Sequence, residues 1–255
     1  LINMEVRSSM VITSLDNDKV KYYYKLQKKK YRDLNNEFMV EGVHLVLEAY
    51  KAGVLKEVLL EEGEVLPIDV EQIEVSKEVL KKISALSSPP KMIGLCKKII
   101  DTTIGKRILI LDEIQDPGNM GTIIRSAVAF NIDTIVIGDG SVDVYSPKVV
   151  RATQGMIFHV PIVFYSIDKL IPILKKLKIP VLATNVKYGE EVKNLSQDEK
   201  DIFALIIGNE GNGVNPKYLE MSDKFIYIPM NSVVESLNVA VATSIILYEM
   251  DDVDD

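Results

Sequence analysis

Hydrophobic positions along this chain change their spacing near residue 100. Before it, short apolar runs alternate with amphipathic stretches. Asp16, Asn17 and Asp18 offer caps for a helix running to about Lys30. Phe38-Met39-Val40 reads as a strand, Glu41-Gly42 turns it into a helix from Val43 to about Ala52, and Val54 to Leu60 alternates as a strand. A short strand near Gln72–Val75 follows, then a helix over Lys77–Ile83 capped by Ser76. Ser87-Ser88-Pro89-Pro90 breaks the pattern before a strand from Met92 to Cys96. These units predict a small α/β domain over residues 10–98.

Beyond a linker at Lys97–Lys106 the apolar runs become uninterrupted. Strands are predicted at Arg107–Leu111, Thr134–Ile137, Val160–Phe164, Pro180–Thr184, Phe203–Ile207 and Phe225–Ile228. Helices are predicted near Met120–Phe130, Pro147–Gly155, Ile167–Leu177 and Asn215–Met221, with a last one from about Leu237 to Met250. Apolar strands separated by helices imply a parallel sheet covered on both faces, here over residues 105–255. The last helix is apolar nearly all round, through Val239, Val241, Ile245, Ile246 and Leu247, which predicts burial.

Composition adds exclusions. The chain has 255 residues, 47% hydrophobic and 26% charged, enough for two ordinary globular domains. Its longest apolar run, Val239 to Leu247, falls well short of the ~18 residues a membrane span needs. No basic segment leads into an apolar stretch at the start, so no signal peptide is expected. Leu1–Ser9 reads as an appended or upstream stretch. Cys96 is the only cysteine, which excludes an internal disulfide or a cysteine metal cluster and suits a cytoplasmic protein. No metal site is expected, and His44 and His159 fall on structural segments.

The net charge of −7 is unevenly spread: residues 1–100 hold 16 Lys/Arg against 15 Asp/Glu, and residues 101–255 hold 14 against 22. Basic residues concentrate at Lys19, Lys21, Lys25, Lys28, Lys29, Lys30 and Arg32, interleaved with Tyr22, Tyr23, Tyr24 and Tyr31. Such a segment can release counterions from phosphates and stack rings on bases. Lys28, Lys29, Lys30 and Arg32 are therefore candidate RNA contacts, against the plainer reading of a solvated helix face. The acidic end Asp251–Asp255 makes any such surface local.

Candidate chemistry sits at strand ends. No Gly-x-Gly-x-x-Gly follows a strand and no phosphate-binding Gly-x-x-x-x-Gly-Lys-Ser/Thr is present. A lone Cys96 within a strand disfavours a thiolate nucleophile. Three segments remain: Asp116-Pro117-Gly118-Asn119 through Arg125, Gly208-Asn209-Glu210-Gly211-Asn212-Gly213, and Ile228-Pro229-Met230 followed by Ser236-Leu237-Asn238. In open α/β sheets ligands bind beyond the carboxyl ends of the strands. The glycines allow close backbone approach, and Asn119 suits either a helix cap or a site. Ile123, Ile124, Ala127 and Val128 predict a buried helix around Arg125, and a buried arginine needs a partner or a ligand.

In order and spacing these three segments resemble the signature motifs of the SpoU (TrmH-type) branch of the SPOUT methyltransferases, which methylate ribose 2′-hydroxyls of RNA. The resemblance covers roughly residues 105–250. It implies a parallel-sheet SPOUT domain with a deep trefoil knot, a rare departure from unknotted topology. It also implies S-adenosyl-L-methionine as cofactor, held by Gly208, Gly213, Ile228, Met230 and Leu237, with Arg125, Asn119, Asn238 and Glu210 as the catalytic group. A homodimer packed through the last helix is implied as well. Lys30-Tyr31-Arg32 and Phe38-Met39-Val40-Glu41-Gly42 resemble the opening of the small RNA-binding domain that precedes the knot in many relatives. Ribosomal RNA is the expected substrate, for a housekeeping or a resistance role. The alternatives are transfer RNA, or a non-catalytic RNA-binding or ribosome-assembly factor.

Overall fold

The computed structural model describes residues 11–186 and 188–251, so Leu1–Ser9, Met10 and all of the acidic end except Asp251 lie outside it. The chain divides into two compact units. One reaches to Lys98 and takes in Tyr145–Pro147; the other comprises Ile99–Val144 and the residues from Lys148 on.

In the first unit α1 (Asp18–Lys25) and α2 (Lys29–Asn35) lead into β1 (Glu37–Glu41), α3 (Val43–Lys51), β2 (Leu55–Glu61), β3 (Glu71–Val75), α4 (Lys77–Ile83) and β4 (Met92–Lys97). The sheet order is β1-β4-β2-β3, with β4 antiparallel to both neighbours and β2 parallel to β3. Val20, Tyr23 and Leu26 pack with Val79, Leu80 and Ile83 of α4 against Leu59, Ile93 and Leu95 of the sheet.

The single helix expected to run to Lys30 is two helices with a corner between them. Arg32 holds that corner. It is 3% exposed, and its Nη1 donates to the carbonyls of Leu26 and Gln27, each at 2.7 Å. These groups lie past the end of α1, where carbonyls lack intrahelical donors. Gln27 Nε2 donates in turn to the carbonyl of Ile83 at 2.7 Å, pinning the corner to the end of α4. Arg32, expected as an RNA contact, is thus an internal cap with its charge already engaged.

The second unit runs β5 (Arg107–Leu111), α5 (Pro117–Ala129), β6 (Thr134–Ile137), α6 (Pro147–Ala152), β7 (Ile162–Phe164), α7 (Ile167–Lys176), β8 (Val181–Thr184), β9 (Glu190–Glu191), α8 (Gln197–Asp201), β10 (Phe203–Ile207), α9 (Pro216–Met221), β11 (Lys224–Tyr227) and α10 (Val239–Glu249). Its strands are all parallel, in the order β7-β6-β5-β10-β8-β11-β9. Every residue of β6 and β10 is buried, as strands covered on both faces must be. Leu170, Ile171 and Leu174 of α7 close over Ile108, Ile110, Val136 and Ile206.

Helices α5 and α10 pack together, with Ser126 Oγ and Ser244 Oγ 2.7 Å apart. Helix α5 starts earlier than expected because Asp116 caps it: Asp116 Oδ1 accepts from the Asn119 N–H at 2.8 Å, and Pro117 occupies the first turn. Asn119 is therefore not the cap, and its side chain serves elsewhere. Gly121 lets α5 meet α6, since a Cβ there would stand 2.2 Å from that of Ala152. No helix among the described residues is long and apolar enough to cross a membrane.

Candidate active site

The glycine loop after β10 is shaped by its own hydrogen bonds. Asn209 and Gly213 exchange backbone bonds of 3.0 and 2.9 Å. Asn209 Oδ1 accepts from the N–H groups of Gly211 and Asn212 at 2.9 and 3.2 Å. Gly213 has φ +71°, and a Cβ on Gly208 would stand 2.0 Å from the Val214 nitrogen. Both positions need glycine for the turn itself. Asp112, at the end of β5, is 4% exposed and accepts from the Asn215 N–H at 2.8 Å, which fixes the start of α9. Burial pushes its carboxyl above the ordinary range, against the pull of that bond. It was not singled out in the sequence, although an acidic residue closing an apolar strand is a visible signal.

Beside this loop lies a cavity of about 340 Å³, within the range of small-molecule sites. Gly208, Gly213, Ile228, Met230 and Leu237 all line it, as do Glu210 and, from α10, Thr243 and Ile246. The lining mixes apolar side chains with backbone groups of the loop, a donor set suited to a ligand that is part apolar and part polar.

A relay of side chains joins the three sequence segments here. The Glu210 carboxylate accepts from the N–H groups of Gln115 and Asp116 at 3.4 and 3.2 Å and from Asn119 Nδ2 at 3.2 Å. Asn119 Oδ1 accepts from Asn238 Nδ2 at 3.0 Å. Asn238 Oδ1 caps α10 by accepting from the N–H groups of Ala240 and Val241 at 2.9 and 3.2 Å. Those donors fix the Asn238 amide, which fixes the Asn119 amide, and a carboxylate accepts what remains. Burial alone would raise the Glu210 carboxyl, but the hydrogen bonds it receives, including those from Asp116, Asn119 and Gln115, hold it below the usual value.

Arg125 departs from expectation. It is exposed, it is not among the residues lining the cavity, and its guanidinium makes no hydrogen bond or ion pair among the described residues. Ile123, Ile124 and Ala127 are buried as expected, but Arg125 shares the outer face of α5 with Thr122 and Ala129. In the first unit Lys28, Lys29 and Lys30 are exposed. Cys96 is buried in β4, and burial pushes its thiol well up, away from a nucleophile's range. Among the described residues no group of three or more His, Cys, Asp or Glu could hold a metal ion.

Comparison with known proteins extends these observations. The SpoU rRNA Methylase family model matches residues 106–248, and the MRM3-like substrate binding domain model matches residues 17–94. The 23S rRNA (guanosine(2553)-2′-O)-methyltransferase RlmP of Bacillus subtilis is 37% identical over 245 residues, covering 94% of this chain and 98% of that relative. An AdoMet-bound rRNA methyltransferase from Sinorhizobium meliloti superposes with a TM-score of 0.83 at 29% identity, over 94% of this chain and 97% of that one. The SpoU methyltransferase AviRb from Streptomyces viridochromogenes, in complex with AdoMet, gives 0.82 at 25% identity, over 92% and 97%.

Proposed function

The chain belongs to the SpoU rRNA methylase family, and from that premise we propose that its substrate is 23S ribosomal RNA. The reaction is S-adenosylmethionine-dependent methylation of a ribose 2′-hydroxyl. One observation supports assigning that chemistry to residues of this chain: Glu210 lines the cavity and begins a relay through Asn119 to Asn238 that unites all three segments. Identity of 37% to RlmP across nearly the full length of both chains supports the nucleotide in that relative's name, guanosine 2553, over a transfer-RNA site.

The cavity suits the cofactor in size and lining. Gly208 and Gly213 would offer backbone groups, and Ile228, Met230 and Leu237 would offer apolar contact. When bound, the cofactor supplies a methyl group activated by a positively charged sulfur. The remaining work falls to the protein. The Arg125 guanidinium presents a planar fork of donors, so it grips an RNA phosphate and stabilises negative charge growing on the 2′-oxygen. Its exposure fits a partner that arrives with the substrate. Asn119 and Asn238 orient the ribose, and Glu210 keeps both amides in register. Positioning of this kind supplies roughly 7–11 kcal/mol.

The first unit takes hold of the RNA. A second copy packs across α5 and α10, whose outer side exposes Val241 at 47% and Tyr248 at 65%. The family's threaded C-terminal segment and a cytoplasmic location belong to the same proposal. Purified protein given labelled S-adenosylmethionine and a 23S rRNA transcript should place label on a ribose, read as an alkali-resistant linkage. Label on a base, or on no RNA, ends the proposal; label on transfer RNA alone moves the substrate. A monomer by sedimentation at micromolar concentration removes the dimer.

A further inference from the structure

We propose that the corner between α1 and α2 is a grip for single-stranded RNA, in which Lys25, Lys28 and Lys30 hold phosphates and the exposed ring of Tyr24 receives a base. The proposal deepens the function above and rests on it for RNA as the ligand.

The basic residues of this segment divide into two sets. Arg32 is spent on the carbonyls of Leu26 and Gln27. Lys29 contacts Asp33 at 2.6 Å, a carboxylate that Lys98 also holds at 2.6 Å. Lys19 lies 3.4 Å from both Glu57 and Glu71. These charges are balanced within the fold. Lys25, Lys28 and Lys30, by contrast, are exposed and meet no carboxylate among the described residues. Lys25 Nζ and Lys30 Nζ lie 5.8 and 6.0 Å from the centre of the Tyr31 ring, so both charges gather round one side chain. Lys28 sits in the connection between the two helices. Three cations crowded at one corner without counter-charge form a site of positive potential that a polyanion relieves.

Two further features choose the kind of polyanion. The corner is braced by Arg32 and by Gln27 against α4, so little backbone ordering is lost on binding. Tyr24, in the last turn of α1 next to Lys25, is 44% exposed. An aromatic face can stack only on a base that is out of its duplex, because A-form helices bury their base faces. A single strand or loop fits; a continuous duplex does not. Residues 101–255 carry an acidic excess, 22 Asp/Glu against 14 Lys/Arg, so that part of the chain adds no net positive charge to compete with this corner.

Fluorescence anisotropy tests the grip, using a fluorescein-labelled single-stranded RNA of about 12 nucleotides and the same strand in a duplex. The variant Lys25→Ala/Lys28→Ala/Lys30→Ala should bind the strand on the order of tenfold or more weakly, with a log–log salt slope shallower by about 2, from roughly 0.7 per phosphate lost. Tyr24→Ala should cost about tenfold while Tyr24→Phe retains affinity, since stacking needs only the ring. In methyl transfer to a 23S transcript the triple variant should raise KM for RNA and leave kcat unchanged. All four side chains are exposed, so melting should match the wild type. Lys51→Ala, which removes a lysine paired with Glu48 on α3, controls for net charge.

An unchanged affinity and salt slope in the triple variant overturns the grip, and so does a wild-type preference for the duplex. Wild-type methylation with an unmoved KM in the triple variant removes the grip and leaves the function standing. Binding lost in the triple variant, with no RNA methylated by the wild type, removes the function and leaves the grip.

Discussion

The two arginines of greatest interest exchanged their expected places, and the exchange reflects how the two units handle charge. In the first unit polar groups are woven into the fold. Tyr23 donates to Glu57 at 2.7 Å, Tyr22 and Lys56 both engage Glu37, and Arg32 closes a helix end. Burial and those carboxylates push both tyrosine hydroxyls well up. In the second unit the sheet is apolar, and polar groups gather at the strand ends, where the relay satisfies Glu210, Asn119 and Asn238 and leaves Arg125 exposed. Arg32, with internal partners, belongs to the architecture; Arg125, with none among the described residues, stays open to solvent.

The largest test of that contrast is Arg125→Ala. It should lower methyl transfer on the order of 10²–10³, with melting and cofactor affinity by calorimetry unchanged. A drop in melting temperature would make Arg125 structural after all. Arg32→Ala should do the converse. Stranding two carbonyls that now accept from a charged donor costs roughly 2–4 kcal/mol in urea unfolding. Arg32→Lys should recover only part, because an ammonium cannot reproduce the guanidinium fork. Catalytic turnover of the folded Arg32→Ala fraction at low temperature should persist.

Glu210→Gln sits between these. It places a donor where the carboxylate now accepts, so rate should fall on the order of tenfold as the amides lose register. Its stability effect depends on pH. A carboxyl held below its usual value contributes fully above the ordinary glutamate range, about 4.3, and loses that contribution as pH falls through the lowered value. The melting gap between wild type and Glu210→Gln should therefore be open at neutral pH and close in acid. The smallest effect belongs to Lys29→Ala. Its pair with Asp33 is exposed, with 65% and 46% of the two side chains accessible, so the change should stay within about 0.5 kcal/mol. A larger loss would mean that surface pairing supports the corner.

Legibility followed the same division. Strands β5, β6 and β10 match their expected bounds, because burial on both faces keeps each of them apolar apart from the first residue of β5, Arg107, and of β6, Thr134. Strand β9 is two glutamates paired with β11, and α8 is wholly polar, so neither carried a hydrophobic signal. The break after Lys25 was hidden because its cause, the Arg32 guanidinium, lies several residues downstream and looks like any surface charge. Of the residues lining the cavity, Gly208, Gly213, Ile228, Met230 and Leu237 were readable from segment order, whereas Thr184, Thr243 and Ile246 lie outside the three segments and carried no such signal. Arg125 was misjudged because apolar neighbours on a helix describe the opposite face as well as their own. Positions 122, 125 and 129 follow the helical period and lie together on the outside.

Strand β10 lies between β5 and β8 although both precede it in the chain. The ribosome therefore delivers β5, β6 and β7 as a half-sheet whose inner border stays open until Phe203 and its successors emerge. That border is lined by Ile108, Leu109, Ile110 and Leu111, all fully covered in the finished protein. During synthesis it is an adhesive margin, the kind that recruits other nascent chains or a chaperone. A fragment stopping short of Phe203 would accordingly aggregate and could not persist as a smaller enzyme.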